Sequence, residues 1–438
     1  MNYFFALVHT LDSMPKETII ILGGGISGLT LAYDLAKYQE RYQIRLIEKS
    51  DHLGGWIDTD TSTGFFFEKG PRVFRGSKSP HLLALTKEIG LHSELIESKK
   101  EGQGLNLLID GKMRKIPILS WELVIGLIKE WRTPPLKDVD ESVWDFACRR
   151  FNPTLAYHMF DPLVIGIYGG DMRELSARSC FPQFKQWEEE HGSILKGMFK
   201  RERYKGPVMF GFQRGMKSVI QRLQERTAIP FHLGEEVIAI TPKGKGFIVK
   251  TSKGVYEADH LFSALPPNVI GKLLIPELAH LKMEGTTIVN LGYSKNVLKK
   301  KGFGYLVSSK EKEDVLGVIY NSNTFPQYNK FPGETRLTVK LKDDDISDSE
   351  ARSLSLKALS KHLGITATPD VSIVIRAPQV FPQFLVGHHG RMQKLERELE
   401  KRHPRLKLVG NYLYGVGVNS CIERARSVSE SFLTAKES

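Results

Sequence analysis

Apolar positions along this chain come in two spacings. Thr18-Ile19-Ile20-Ile21-Leu22 is almost unbroken apolar sequence, the pattern of a strand covered on both faces, and it runs directly into Gly23-Gly24-Gly25-Ile26-Ser27-Gly28. A second short run at 44–47 ends on Glu48, and the residues in between keep the amphipathic spacing of a helix. Strand, glycine turn, helix and strand in this order predict one βαβ unit of a parallel sheet. Ser79-Pro80 followed by 81–89 and Gly90 reads as an N-capped helix with a glycine stop, and 106–109, Asp110-Gly111 and 112–116 read as a hairpin. From about 120 to 200 the spacing is helical, with clear periods at 142–150 and 153–168. Strand signals return at 231–251, 260–265, 288–293, 304–307, 315–320 and 336–341. Helices are predicted at 348–363 and 390–403, and a strand at 406–409 leads through a glycine-rich stretch into a helix from Asn419.

The first unit carries a chemistry. Gly23 allows a tight turn, Gly25 lets the backbone approach a pyrophosphate, and Gly28 lets the helix pack close to the strand, while the orphan N–H groups of the helix start face the phosphates. Gly24, Ile26 and Ser27 complete that turn. Glu48 lies twenty positions after Gly28, where its carboxylate can accept both hydroxyls of a ribose and would repel a 2′-phosphate, so NADP is disfavoured. Glycine turns of this kind also occur as plain loops; the flanking strand, the helix and Glu48 carry the dinucleotide reading. Two further segments decide between NAD and FAD. Asp51-His52-Leu53-Gly54-Gly55-Trp56 brings a second glycine pair, and Phe67-Glu68-Lys69-Gly70-Pro71-Arg72 makes a turn preset by proline. A nicotinamide enzyme has no need of them, whereas a flavin buried along its whole length does, so FAD is the expected cofactor.

The predicted fold class is α/β: a Rossmann-type FAD-binding domain interleaved with a mixed-sheet substrate domain and a helical membrane-associated segment. The expected boundaries are 14–100, 208–272 and 404–438 for the first, 101–119 and 273–403 for the second, and 120–207 for the third.

With 438 residues, 41% hydrophobic and 26% charged, the chain has the composition of a globular protein large enough for two or three cores. Its net charge of +12 wants an anionic partner. No basic run with interleaved aromatics and no recognised module is present, which argues against nucleic acid and for an anionic membrane surface or small substrate. Cys148, Cys180 and Cys421 are too scattered for a disulfide framework or a metal site, so a reducing compartment and no metal are expected. No segment reaches the roughly 20 apolar residues that span a bilayer. Residues 1–13 lack a basic start and a long apolar core, and read as an extension outside the fold.

Across nearly the whole chain the motifs resemble one family, the flavin-dependent, oxygen-using protoporphyrinogen oxidases of heme synthesis, within the flavin amine oxidase superfamily. The resemblance rests on Leu53-Gly54-Gly55-Trp56-Ile57, the turn at 67–72, Gly166-Ile167-Tyr168-Gly169-Gly170-Asp171 with Glu174-Leu175-Ser176-Ala177-Arg178-Ser179, and Gly302-Phe303-Gly304-Tyr305-Leu306-Val307. Val315-Leu316-Gly317-Val318-Ile319-Tyr320, Phe381-Pro382-Gln383-Phe384 with Gly387-His388, and the tail 414–423 extend it. The first and last of these segments are common to the superfamily, and the middle ones are more specific. The resemblance implies FAD contacts at 23–28, Trp56, Gly70, Pro71, Arg72, Val73, Val237, Asn411, Val416, Gly417 and Val418, and substrate contacts at Gly166, Phe303, Leu306 and Ile319. Read from the residues alone, Phe303 and Leu306 are ordinary core positions of a strand.

The implied reaction removes six electrons from protoporphyrinogen IX, with dioxygen as acceptor and hydrogen peroxide as by-product. No side chain is assigned as a catalytic base, because proton loss can follow from the activated pyrrole N–H groups; His388 and His389 read as structural or flavin-edge residues. In one respect the chain departs from the family. Where many members carry an arginine that meets a substrate propionate, this chain has Gln103-Gly104-Leu105-Asn106, leaving Arg72, Arg75 and Arg114 as the candidate cations. Between Trp121 and Trp131, Leu123-Val124-Ile125-Gly126-Leu127-Ile128 with Lys112, Arg114, Lys115, Lys129 and Arg132 around it reads as a short helix for a bilayer interface, or alternatively as part of the helical core. The location that follows is cytoplasmic and peripheral on the inner face of the membrane, and a homodimer belongs to the expectations. The rival readings are coproporphyrinogen III oxidation on the same fold, a flavin amine oxidase or carotenoid desaturase, and a non-catalytic scaffold with structural FAD. The tail lacks the Trp-Ser-Gly-Tyr type of sequence that builds an aromatic cage in amine oxidases.

Overall fold

The unbroken apolar run becomes the central strand, Glu17–Leu22, of a five-stranded parallel sheet ordered Phe231–His232, Tyr42–Ile47, Glu17–Leu22, His260–Ser263, Leu406–Leu408. The structure is a computed structural model, and it describes residues 16–116, 120–202 and 204–435. The expectation for residues 1–13 therefore lies outside the described residues. Ile19 to Leu22 are fully buried because both faces of the sheet are covered. Ile19 and Ile21 pack with Leu29 and Ala32 of helix Ile26–Leu35 and with Ile422 and Ala425 of helix Val418–Thr434. Ile20 and Leu22 pack on the other face with Ile240, Phe247 and Val249 of a three-stranded antiparallel sheet, Val237–Lys243, Gly246–Thr251 and Val255–Ala258. Met392, Leu395 and Leu399 of helix His388–Arg402 join that second core, so this helix sits on the parallel sheet.

A seven-stranded sheet is ordered Val371–Pro382, Met283–Tyr293, Thr335–Leu341, Val315–Tyr320, Gly304–Val307, Leu105–Ile109, Lys112–Lys115. The predicted hairpin at 106–116 thus supplies two of its strands, joined in parallel to Gly304–Val307. Alternation assigns the two faces. Leu337, Val339 and Leu341 face Ala351, Ala358 and Leu359 of helix Asp348–Leu363, while Arg336, Thr338 and Lys340 point the other way.

A helical segment, whose core gathers Phe146, Phe160, Val164 and Trp187, packs on strands Gly304–Val307 and Val315–Tyr320 of the seven-stranded sheet. Five of its helices start on side-chain caps, from Ser120, Ser142, Asn152, Ser176 and Ser193, which satisfy N–H groups that a helix start leaves free. The predicted helix at 153–168 is broken by a π-turn, Ala156–Phe160, ahead of Asp161–Tyr168. Asp161 ties this segment to the seven-stranded sheet by accepting from the Ser308 hydroxyl at 3.0 Å and the Ser309 N–H at 2.7 Å.

Candidate active site

The glycine turn has the geometry its spacing predicts. Gly23 sits at φ +96°, a conformation that side chains resist, and its N–H donates to Ile47 O at 2.8 Å. A Cβ on Gly28 would fall 1.9 Å from Gly23 O, so only glycine lets the helix start this close to the strand. A Cβ on Gly25 would meet nothing within 4 Å. The space above Gly25 is open, as a phosphate approach requires. Helix Ile26–Leu35 begins on Gly25 with no side-chain cap, and helix Val418–Thr434 begins on Gly417, equally uncapped and with open space at its Cβ position. Leu29 and Ala32 of the first helix share a core with Ile422 and Ala425 of the second, which sets these two bare N-termini on the same side of the parallel sheet. Two sets of unfilled backbone donors converging on one space fit the anionic part of a dinucleotide and electron-rich ring oxygens.

Glu48 stands at the end of its strand, half-buried, with one carboxylate oxygen accepting from Gly24 N–H at 2.7 Å and the other from Ser50 N–H at 2.8 Å. These bonds fix the acid against the turn and leave further lone pairs for ribose hydroxyls. Val237 is brought beside it, since Glu235 N–H donates to Glu48 O at 2.9 Å and Gly234 N–H to Ser50 O at 2.7 Å. Gly54 and Gly55 have φ of +118° and +59°, and Gly54 N–H donates to Gly24 O at 2.9 Å. Trp56 remains exposed, and its carbonyl lies where a Cβ on Gly70 would be, at 1.9 Å. Pro71, Arg72 and Val73 follow, each half-buried. Asn411 reaches from the tail to Val380 O at 3.1 Å, and Val416 packs against the helical segment. All the predicted cofactor positions thus lie on the turn, on loops bonded to it, or on the tail that ends at the second bare helix.

The polar face of the seven-stranded sheet closes the space. Asn290 bridges the two halves: its Nδ2 donates to Glu68 O at 3.4 Å, and its Oδ1 accepts from the Thr338 hydroxyl at 2.6 Å. Glu68 is buried, receives Met216 N–H and the Thr59 hydroxyl at 2.8 Å each, and is nonetheless pushed up to about 7 by desolvation. Gly304 pairs with Ile319 and Leu306 with Gly317, which puts Leu306 and Ile319 diagonally on one face. A Cβ on Gly166 would lie 2.7 Å from the Leu306 Cδ2, so the helix meets the strand there without a side chain between them. Gly166, Leu306 and Ile319 come together; Phe303 stands at the entry to the strand, its N–H on Gly104 O at 2.6 Å.

Sequence reasoning missed Lys340. Its Nζ donates to Gly166 O at 2.9 Å and lies 4.1 Å from the centre of the Phe381 ring. Burial, with Arg72 nearby, pulls its ammonium down to about 7. Burial likewise lowers Arg72, to about 10, against the pull of Glu68. Both side chains are surrounded by protein and still keep accessible surface, so the space they border is internal. The alternation of Arg336, Thr338 and Lys340 could have flagged it. Of the candidate cations named from sequence, Arg75 is exposed, and Arg114 lies on the outermost strand, 3.4 Å from Asp110. Arg72 alone reaches the cavity. Gln103 turns back to Ser98, its Nε2 3.0 Å from the Ser98 hydroxyl. His388 is buried, stacked on Phe384 and bonded to Leu413 O at 2.9 Å, and burial holds its pKa down at about 4. It is a neutral, structural imidazole. His389 packs its ring against Tyr414.

Residues 26–432 match the family described as flavin containing amine oxidoreductase. The chain is 32% identical over 471 residues to the protoporphyrinogen oxidase of Bos taurus, with 95% of this chain and 98% of that protein covered. It is 27% identical over 467 residues to the coproporphyrinogen III oxidase of Bacillus subtilis (strain 168), covering 96% and 98%. A crystal structure from Exiguobacterium sp. 255-15, described as "Putative protoporphyrinogen oxidase", superimposes with a TM-score of 0.85 at 25% identity over 96% of this chain and 99% of that one. A turn in which Gly23 and Gly28 admit no side chain, two bare helix starts and a fixed ribose-side carboxylate are what a bound flavin nucleotide needs, and the match runs from the first of those helices into the last turn of the second: the chain belongs to the flavin-containing amine oxidoreductase family, with FAD as its cofactor.

Proposed function

We propose that the protein oxidises a porphyrinogen to the corresponding porphyrin, protoporphyrinogen IX being the substrate that fits best, and that it works as a peripheral protein on the inner, cytoplasmic face of a membrane. The observation that supports the reaction is the apolar patch made by Gly166, Leu306 and Ile319, next to Lys340 on the same face of the seven-stranded sheet. It is apolar, and at Gly166 the helix lies directly on the Leu306 side chain, so the patch is a smooth hydrophobic surface suited to a flat ring. FAD held there would supply a hydride acceptor that dioxygen regenerates, so that overall one porphyrinogen and three O2 would give one porphyrin and three H2O2. The chain's own residues hold the macrocycle edge at the flavin and exclude water. The relatives named as protoporphyrinogen and coproporphyrinogen oxidases support this class of substrate. Against an amine substrate, the tail offers no aromatic cage: Tyr412 is fully buried and the Tyr414 hydroxyl is bonded to Glu396.

The membrane reading rests on helix Trp121–Arg132. Trp121, Val124, Ile125, Ile128 and Trp131 are all exposed on it, while Glu130 on the opposite face is fully buried. Lys129 and Arg132 are exposed alongside, and Lys196 lies 5.1 Å from the Trp131 ring. No helix among the described residues is long and apolar enough to cross a membrane. Anaerobic mixing of flavin-loaded protein with protoporphyrinogen IX tests the reaction. Loss of the flavin's visible absorbance is expected, followed on aeration by protoporphyrin and peroxide; mass analysis of products from the two porphyrinogens separates the substrates. A flavin that stays oxidised with both would overturn the proposal.

A further inference from the structure

We propose that Lys340, with Arg72 beside it, receives a carboxylate of the substrate inside the cavity, an assignment that rests on the porphyrinogen reading above. Lys340 occupies a central strand and faces away from the hydrophobic core of its sheet. Its register partners are Ile288 and Gly317, so no polar side chain opposes it. The Nζ makes one hydrogen bond, to Gly166 O, which leaves two of its three donors free. Among the described residues no carboxylate lies within ion-pair distance of Lys340 or Arg72. Glu68 is the acid that acts on Arg72, and both of its oxygens are already bonded, to Met216 N–H and the Thr59 hydroxyl.

Two cations that repel each other across a cavity cost free energy unless an anion joins them. The one acid that acts on the pair, Glu68, has both oxygens bonded elsewhere and reaches only Arg72, and the apolar patch of Gly166 and Leu306 adjoins the Lys340 ammonium directly. A substrate with an apolar ring and acidic side arms matches both features at once. The stretch from which an arginine would otherwise reach the substrate cannot serve, because Gln103 is turned to Ser98. Lys340 therefore sets the orientation of the ring by holding one acidic edge. It also ties that edge to the carbonyl of Gly166, the residue against which the ring would lie.

The test uses FAD-loaded protein and two probes, protoporphyrin IX and its dimethyl ester, titrated by porphyrin fluorescence. The parent should bind the diacid more tightly than the diester. Lys340→Met should weaken the diacid by about 10- to 100-fold, the range of a charge-assisted contact, while retaining the diester, and Lys340→Arg should restore most of the preference. In turnover, Lys340→Met should raise KM more than it lowers kcat. Retained flavin in each variant reports folding. A parent that oxidises porphyrinogen while Lys340→Met keeps the full acid-over-ester preference would overturn this inference alone. So would a shift of the flavin midpoint potential in ligand-free Lys340→Met with the preference intact, since the ammonium would then face the flavin. A parent whose flavin no porphyrinogen reduces would instead remove the reading on which the inference rests.

Discussion

Ile125→Asp with Ile128→Asp should release the protein from anionic membranes without unfolding it. The two isoleucines are 50% and 49% exposed on helix Trp121–Arg132, so half of each side chain is available to a bilayer. Full burial of such a side chain is worth about 1.5–3 kcal/mol, which gives about 1.5–3 kcal/mol for the pair at half burial. Each aspartate adds repulsion of about 1 kcal/mol at an anionic surface. The expected loss of about 3–5 kcal/mol lowers the partition coefficient by two to three orders of magnitude or more. Sedimentation with vesicles of phosphatidylglycerol and phosphatidylcholine measures it, with flavin absorbance reporting the fold. The neighbouring Leu127 is the contrasting position. The sequence pattern groups it with Ile125, but in the structure Leu123 and Leu127 pack into the helical core. Leu127→Asp should therefore destabilise the protein through a buried charge. A flavin-loaded Ile125→Asp/Ile128→Asp protein that sediments like the parent would refute the reasoning, as would a well-folded Leu127→Asp protein that alone comes off the vesicles.

Gly166→Leu should lose porphyrinogen turnover while keeping FAD, and should also lower the melting temperature, because its Cβ would stand 2.7 Å from the Leu306 side chain and overpacking of this kind costs about 1–3 kcal/mol. Parental turnover in this variant would remove Gly166 from the site. The pH dependence of stability should change at Lys340, whose ammonium is lowered from 10.5 to about 7 by burial. A lysine of this kind binds fewer protons folded than unfolded between those values, so its destabilising effect is full below about pH 7 and fades as pH rises toward 10.5. Lys340→Met should thus gain more stability at pH 6 than at pH 9, by about 2–3 kcal/mol, in flavin-release melts; equal gains would mean that the ammonium is solvated.

The parts of the fold that the sequence revealed are those where one local pattern dictates one environment. Ile19 to Leu22 read as buried on both faces because a parallel strand leaves no exposed side, and helix Asp348–Leu363 has the bounds expected of it, which the structure closes with a Ser347 cap and Gly364 in the left-handed conformation. Strand Val371–Pro382 was not read, since Pro378 interrupts its pattern. The strand lies at the edge of its sheet, where a missing N–H is tolerated and the register shifts near Ala377. Strands of two or three residues, such as Thr59–Asp60, Phe67–Glu68 and Leu95–Glu97, are too short to show a period.

The site divides in the same way. Its glycines are legible because their spacing between a strand and a helix is a local pattern, fixed at Gly23 by positive φ and at Gly28 by close contact, whereas Lys340 depends on which face of its sheet helix Asp348–Leu363 covers. Alternation puts Arg336, Thr338 and Lys340 on one face but does not say whether that face meets water or a cavity. Helix Trp121–Arg132 shows the converse. An acid in an apolar helix reads as its solvent side, as Glu122 is, yet Glu130 is fully buried, paired with Arg150 and accepting from the Ser193 hydroxyl at 2.7 Å and Ile194 N–H at 2.7 Å. The tryptophans and isoleucines are the side left outward. Interior charge is costly unless paired, and here it is paired completely, so the orientation is fixed from within and the apolar stripe must face out. An outward stripe of this kind with Lys129, Arg132 and Lys196 beside it is the pattern that the proposed anionic lipid surface would complement in both its apolar and its charged positions, and the Ile125→Asp/Ile128→Asp variant decides whether it does.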